Sequence, residues 1–260
     1  MNASEILIAL MDIKQFFGMI SKRATLQKLT ANAFAENGTA QSRTESLVLL
    51  TKFVQIYKEK QQNAQNQDDD SDNNVNGEDD EIIINEGSDE DKDNAKEKQD
   101  AVLVEILCST MPSMKKALIE TSCAPVMSSL NLTEIKPFGL TRLRVLELLA
   151  ALVKMNKPQV SEAVQEHNML SVLVELIERH PWNNFLQLKT QQIFEDLLES
   201  EALTKEEKFN LIKTSGVVSK LITMSETPKV TFISEKQMRH GYMGFAIKLS
   251  NLIKKKGEAD

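Results

Sequence analysis

Three segments of this chain read alike at nearly constant spacing, and that repeat constrains the fold more than any other feature. Ala117-Leu118-Ile119-Glu120-Thr121-Ser122, Ala163-Val164-Gln165-Glu166-His167-Asn168 and Asn210-Leu211-Ile212-Lys213-Thr214-Ser215 each pass from apolar residues through a polar pair. Apolar helical stretches such as Leu170 to Ile177 and Val217 to Ile222 follow. Leu118, Val164 and Leu211 stand 46 and 47 residues apart, close to the roughly 40–47 residues of a HEAT or armadillo unit. In such an array each unit buries its apolar face only on its neighbours, so 260 residues fold without one large central core. With 9 glycines and 6 prolines, the chain has few helix breakers. The expected fold is all-α, a HEAT- or armadillo-like α-solenoid whose helices stack as antiparallel pairs.

The apolar spacing places individual helices. Ile6, Leu10, Ile13, Phe17 and Ile20 alternate gaps of three and four, which puts them on one face of a helix from Ser4 to about Ile20. Further helices are expected over Thr25 to Ala35 and over Thr44 to Lys60, the latter with Leu47, Leu50, Val54 and Tyr57 on one side. Between Thr141 and Asn156, Leu143, Val145, Leu146, Leu148, Leu149, Leu152 and Val153 cover most of the circumference. A helix apolar over most of its surface is packed on several sides, the position of a helix between two repeats.

At Gln61 the character changes. Through about Lys98 the chain is built from Asn, Gln, Asp, Glu, Gly and Ser without apolar periodicity. Asp68 to Asp93 carries thirteen acidic residues against one lysine, a local charge of −12 in a chain of net −7, which leaves +5 for the rest. Such a segment cannot bury enough surface to offset its ordering entropy, and it is expected to be a disordered loop projecting from the array. Loop closure adds little cost, because it grows slowly with length. The domain plan is therefore N-terminal helices over 1–60, an acidic insertion over 61–98, and C-terminal repeats of the same domain over 99–256. Inside the insertion, Ile82, Ile83 and Ile84 between acidic flanks have the composition of a SUMO-interacting segment, which binds by adding a strand to a sheet edge. The plainer reading is a chance isoleucine run. Ser88, followed by Asp89, Glu90 and Asp91, fits an acidophilic-kinase site.

Several function classes fall away. Lys and Arg are interspersed with Glu and Asp, with no basic stripe interleaved with aromatics, which disfavours nucleic acid. Glu5, Asp12 and Lys14 interrupt the N-terminal apolar residues, unlike a secretory signal. Leu148 to Val153, as long as any wholly apolar run in the chain, is far shorter than a membrane span. Cys108 and Cys123 stand at no metal-ligand spacing and suggest a reducing compartment, the cytoplasm or also the nucleus. His167, His180 and His240 are far apart, so no metal site is expected. The Asp-x-His and Gly-Asp-x-x-Asp-Arg-Gly elements of a two-metal phosphatase are absent, and no phosphate-binding glycine loop occurs. Neither catalysis nor a cofactor is expected.

Three motifs carry a family resemblance. Pro137-Phe138-Gly139-Leu140-Thr141-Arg142-Leu143-Arg144 and the leucine-rich residues that follow to Leu152 resemble the signature helix of SAPS-domain proteins. Trp182-Asn183-Asn184-Phe185-Leu186 is similar to that family's Trp-Asn-Asn-Phe-Leu motif. Arg239-His240-Gly241-Tyr242-Met243-Gly244-Phe245 is similar to its Arg-Arg-Gly-x-Met-Gly-His element, with His240 and Phe245 departing from it. The resemblance implies the C-terminal part of a SAPS domain. It also implies a regulatory or scaffold subunit that binds a type-2A-like, phosphatase-6-like serine/threonine phosphatase catalytic subunit and directs its substrate choice or location. A helical adaptor without a phosphatase, in transport or cytoskeletal assembly, is the alternative.

The residues expected to bind protein are Arg142, Arg144, Trp182, Asn183, Arg239 and His240, emerging from one edge of successive repeats. Each has a structural reading beside the functional one. Trp182 after Pro181 plugs a turn between repeats, with Asn183 or Asn184 as helix cap, or it anchors a partner. Arg142 and Arg144 form a solvated edge or pair with Glu147, or they face an acidic partner.

Overall fold

The computed structural model describes residues 3–11, 13–68, 100–120, 137–227, 230–231 and 237–258. These residues form helices α1 (Ala3–Leu10), α2 (Lys14–Ile20), α3 (Arg23–Ala33), α4 (Ala40–Asp68), α5 (100–108), α6 (Met111–Ile119) and α7 (Leu140–Lys154). They continue as α8 (Pro158–Glu166), α9 (Met169–Arg179), α10 (Asn184–Glu199), α11 (Lys205–Thr214), α12 (Val217–Glu226) and α13 (Met243–Gly257). Two short strands, β1 (Val230–Thr231) and β2 (Gln237–Met238), pair antiparallel. The chain is all-α in class.

The helices fall into triplets. α4, α7, α10 and α13 pack in that order, each on the next, while α6, α9 and α12 form a second row beside them. The unit is thus three helices, a short one (α5, α8, α11), one of the second row, and one of the first. That is an armadillo-like triplet rather than the expected antiparallel pair. Thr44 bonds Thr141 across the starts of α4 and α7, and further along α4 the Lys58 ammonium donates to the Lys154 carbonyl at the end of α7. Lys256 lies 3.5 Å from Glu199 at the ends of α13 and α10. The first row therefore runs parallel from α4 to α7 and from α10 to α13. In the second row, the Lys220 ammonium of α12 reaches Ser171 and Glu175 of α9.

Helix α7 occupies the centre, with Val145, Leu146, Leu148, Leu149 and Leu152 wholly buried between α4, α6, α8 and α10. Its nearly all-round apolar surface is the sequence signature of that position. Fully burying each of these leucines stabilises the array by about 1.5–3 kcal/mol relative to exposure.

Three boundaries differ from expectation. The Ser4–Ile20 helix breaks after Leu10; Leu7, Ile8 and Met11 turn inward and Ile6 and Ile13 are exposed, while Phe17 and Ile20 pack on the core as expected. Both sets have helical spacing, so spacing alone could not choose the face. The first of the three repeat segments is out of phase with the others: Leu118 ends α6, in the second row, whereas Val164 and Leu211 lie in the short helices α8 and α11. Every helix end in such an array passes from apolar to polar residues, so the pattern matched two different kinds of end. Finally, α4 runs through Gln61 to Asp68, beyond the expected boundary at Lys60. Gln61 donates to the Tyr57 hydroxyl at 2.8 Å and also bonds Asp100 of α5, which accepts from Tyr57. The rest of the acidic run, with Ile82, Ile83, Ile84 and Ser88, lies outside the described residues, as does Cys123.

Candidate functional site

The three motifs converge on one junction. Gly139 precedes α7 at φ +86°, a conformation suited to glycine, and turns Phe138 back over the helix start. There Arg142 is buried; its guanidinium donates to the carbonyls of Phe138 and Pro137 and covers the Phe138 ring at 4.8 Å. Burial pulls its pKa down from the usual arginine value. The other edge of Phe138 meets the His180 ring at 5.3 Å. Next come Pro181, whose carbonyl accepts from Gln187 at 2.9 Å, and Trp182. Asn183 caps α10 by accepting from the Leu186 amide at 3.0 Å. Gly241 closes the junction from the third motif. A Cβ there would fall 2.5 Å from the Pro181 oxygen and 2.6 Å from the Trp182 indole, so only glycine lets the two backbones meet. His240 stacks on the buried Tyr242 ring at 5.0 Å.

Among the six expected binding residues, Arg142, Trp182, Asn183 and His240 thus gather along this junction, with Arg239 exposed beside His240. Arg142 does not project outward as a ridge cation, because two main-chain carbonyls and a phenyl ring hold it inside. Arg144 points elsewhere. It pairs with Glu147 at 2.7 Å in a groove of about 610 Å³ between α4, α7 and α10.

That groove was not foreseen. Lys52 and Lys58 of α4, Arg144 and Lys154 of α7, and Lys189 of α10 line it, against Glu59 and Glu147. Burial lowers the pKa of Lys58, and neighbouring Lys154 lowers it further. Burial also raises the carboxyl of Asp196, on α10 beside Lys58 and Lys154.

A row of apolar side chains was missed too. Leu140, Phe185, Leu188 and Ile247 stand in the first two turns of α7, α10 and α13 and are 57, 71, 60 and 54 % exposed. The signal lay in the periodicity. The buried stripe of α10 runs through Leu186, Thr190, Ile193, Phe194 and Leu197, and Phe185 and Leu188 fall off it. Apolar residues outside the core stripe mark an interaction surface more clearly than those within it. Among the described residues no acidic, histidine and cysteine cluster could hold a metal ion, and no helix is long and apolar enough to cross a membrane.

Residues 160–259 match the family described as SAPS, SIT4 phosphatase-associated protein. The chain is 25% identical over 165 residues to serine/threonine-protein phosphatase 6 regulatory subunit 3 of Gallus gallus, covering 58% of this chain and 19% of that relative. It is 24% identical over 160 residues to regulatory subunit 3-A of Xenopus laevis, covering 55% of this chain and 18% of that one. With regulatory subunit 2 of Mus musculus it shares 28% identity over 134 residues, or 49% of this chain and 13% of the relative. The chain thus spans about a fifth or less of the length of these relatives. No solved structure matches it at a significant level. The motif-bearing junction at Trp182 and Gly241 lies inside the span, residues 160–259, that is similar to the SAPS family.

Proposed function

We propose that this chain is a non-catalytic regulatory or scaffold subunit that binds a type-2A-like, phosphatase-6-like serine/threonine phosphatase catalytic subunit and directs its substrate choice or location. The observation that carries this reading is the family match over residues 160–259, which takes in α9 to α13. The row of Leu140, Phe185, Leu188 and Ile247 supports it, because exposed apolar side chains repeated along one edge suit a protein partner. Arg239, exposed beside the junction, supplies a cation for the polar rim. Cytoplasm or nucleus is the compartment that goes with such a partner.

The test is capture of purified phosphatase 6 catalytic subunit by the immobilised chain, with circular dichroism on the same samples. Wild type captures it and shows no phosphatase activity alone, with or without added Mg²⁺ or Mn²⁺. Phe185→Ser with Leu188→Ser weakens capture about tenfold or more while helicity is unchanged, as for central apolar contacts in an interface. Absence of capture by wild type overturns the function; undiminished capture by the folded double variant moves the contact off this edge.

A further inference from the structure

The groove between α4, α7 and α10 is a binding surface of a different chemistry from the apolar row. We propose that it docks an extended acidic peptide segment of a partner protein. Charge is the first argument: five cations line it against two carboxylates, and one of these, Glu147, is already paired with Arg144. The second is that, among the described residues, none of the remaining cations has a carboxylate within ion-pair distance. Lys58 donates to the Lys154 carbonyl, and Lys189 to the neutral Gln192 at 3.1 Å. The Arg144 Nε is buried without an acceptor while the rest of its side chain stays partly exposed. Asp196 attracts Lys58 and Lys154 from beside the groove, but burial outweighs that attraction and works against its charged form.

Shape is the third argument. Ala150 and Ala151 form part of the wall, and their short side chains leave room for a backbone to lie against α7. Cations stand on all three helices, so carboxylates along a strand-like peptide would meet Lys52, Arg144 and Lys189 from opposite sides. A partly desolvated cleft with an excess of positive charge strengthens such contacts and speeds encounter. The chain outside Asp68 to Asp93 has a net charge of +5, in keeping with an acidic partner.

Fluorescence anisotropy with a labelled Glu/Asp peptide, alongside its Gln/Asn counterpart, tests the assignment on the full chain. The acidic probe binds and the neutral one does not, and binding weakens steeply with salt. Lys52→Glu, Lys154→Glu and Lys189→Glu together reduce affinity at least about tenfold. The milder Lys→Gln triple gives a smaller loss in the same direction, which guards against a variant that fails to fold. Lys213→Glu, Lys248→Glu and Lys255→Glu change net charge equally outside the groove and leave affinity within about twofold. Equal losses in the two reversals, or no loss in either, overturn the proposal. A rise of tenfold or more on replacing residues 69–99 with a Gly/Ser linker would make the chain's own acidic run the occupant and overturn it as well. None of these readings uses a phosphatase, so failure here is distinct from failure of catalytic-subunit capture.

Discussion

At Arg142 two main-chain carbonyls and a phenyl ring hold the guanidinium, so a charge reversal there would disturb the start of α7 before it reported on any partner. Arg144, two residues on, keeps part of its side chain in solvent and answers to Glu147. In sequence the two arginines look equivalent. Their difference comes from Gly139, whose backbone turn sets Phe138 over the helix and so creates the inward site for one of them. Asn183 was legible because capping is a local rule. The groove lysines were not, because Lys52, Lys154 and Lys189 come from three helices and meet only in the packed array. Cys108 gives a residue-scale prediction. Burial, with Glu162 nearby, pushes its thiol up to about 11, so it stays protonated at neutral pH. In a Cys123→Ser variant, alkylation by iodoacetamide at pH 8 runs about a hundredfold slower than for an ordinary exposed cysteine, and its rate keeps climbing past pH 9. A rate matching that of free cysteine at pH 8 would contradict the buried setting.

Element boundaries followed propensity where one face was apolar and failed where two faces were. α10 and α11 begin at a capping asparagine and at a Thr204–Glu207 capping box, both readable from sequence. The N-terminal helix breaks at Met11: before the break Leu7, Ile8 and Met11 turn inward in place of Ile6, and after it Phe17 and Ile20 of the expected face still pack on the core. The triplet unit was hidden because its short helices resemble the ends of its long ones. At this scale the critical contact is Gly241 against Pro181 and Trp182, which ties α13 to the turn before α10. Gly241→Ala forces the two backbones apart and costs about 1–3 kcal/mol, measured by urea unfolding. The loss should leave far-UV helicity of the folded state intact, because the contact joins elements rather than forming them. An unchanged midpoint would mean that the junction is slack.

For the whole molecule, the acidic run divides the array without dividing its core, since α4 packs directly on α7 across it. Its composition was legible; its edge was not, because the polar residues after Lys60 carry no apolar stripe although α4 continues through them. Replacing residues 69–99 with a Gly/Ser linker is expected to leave the melting temperature within a few degrees. Carrying the replacement back to Gln61 removes its bonds to Tyr57 and Asp100 and lowers stability by about 1–2 kcal/mol. Thermal unfolding of the two variants side by side checks both outcomes. The parallel course of the first-row helices has a consequence of its own. Peptide dipoles that would cancel in an up-and-down bundle add here within each parallel pair, positive toward the helix starts and negative toward their ends. The two margins of the first row are therefore electrically unlike, and a molecule laid across that row meets a head and a tail. Each further unit would lengthen that track by about 10 Å without reversing its sense.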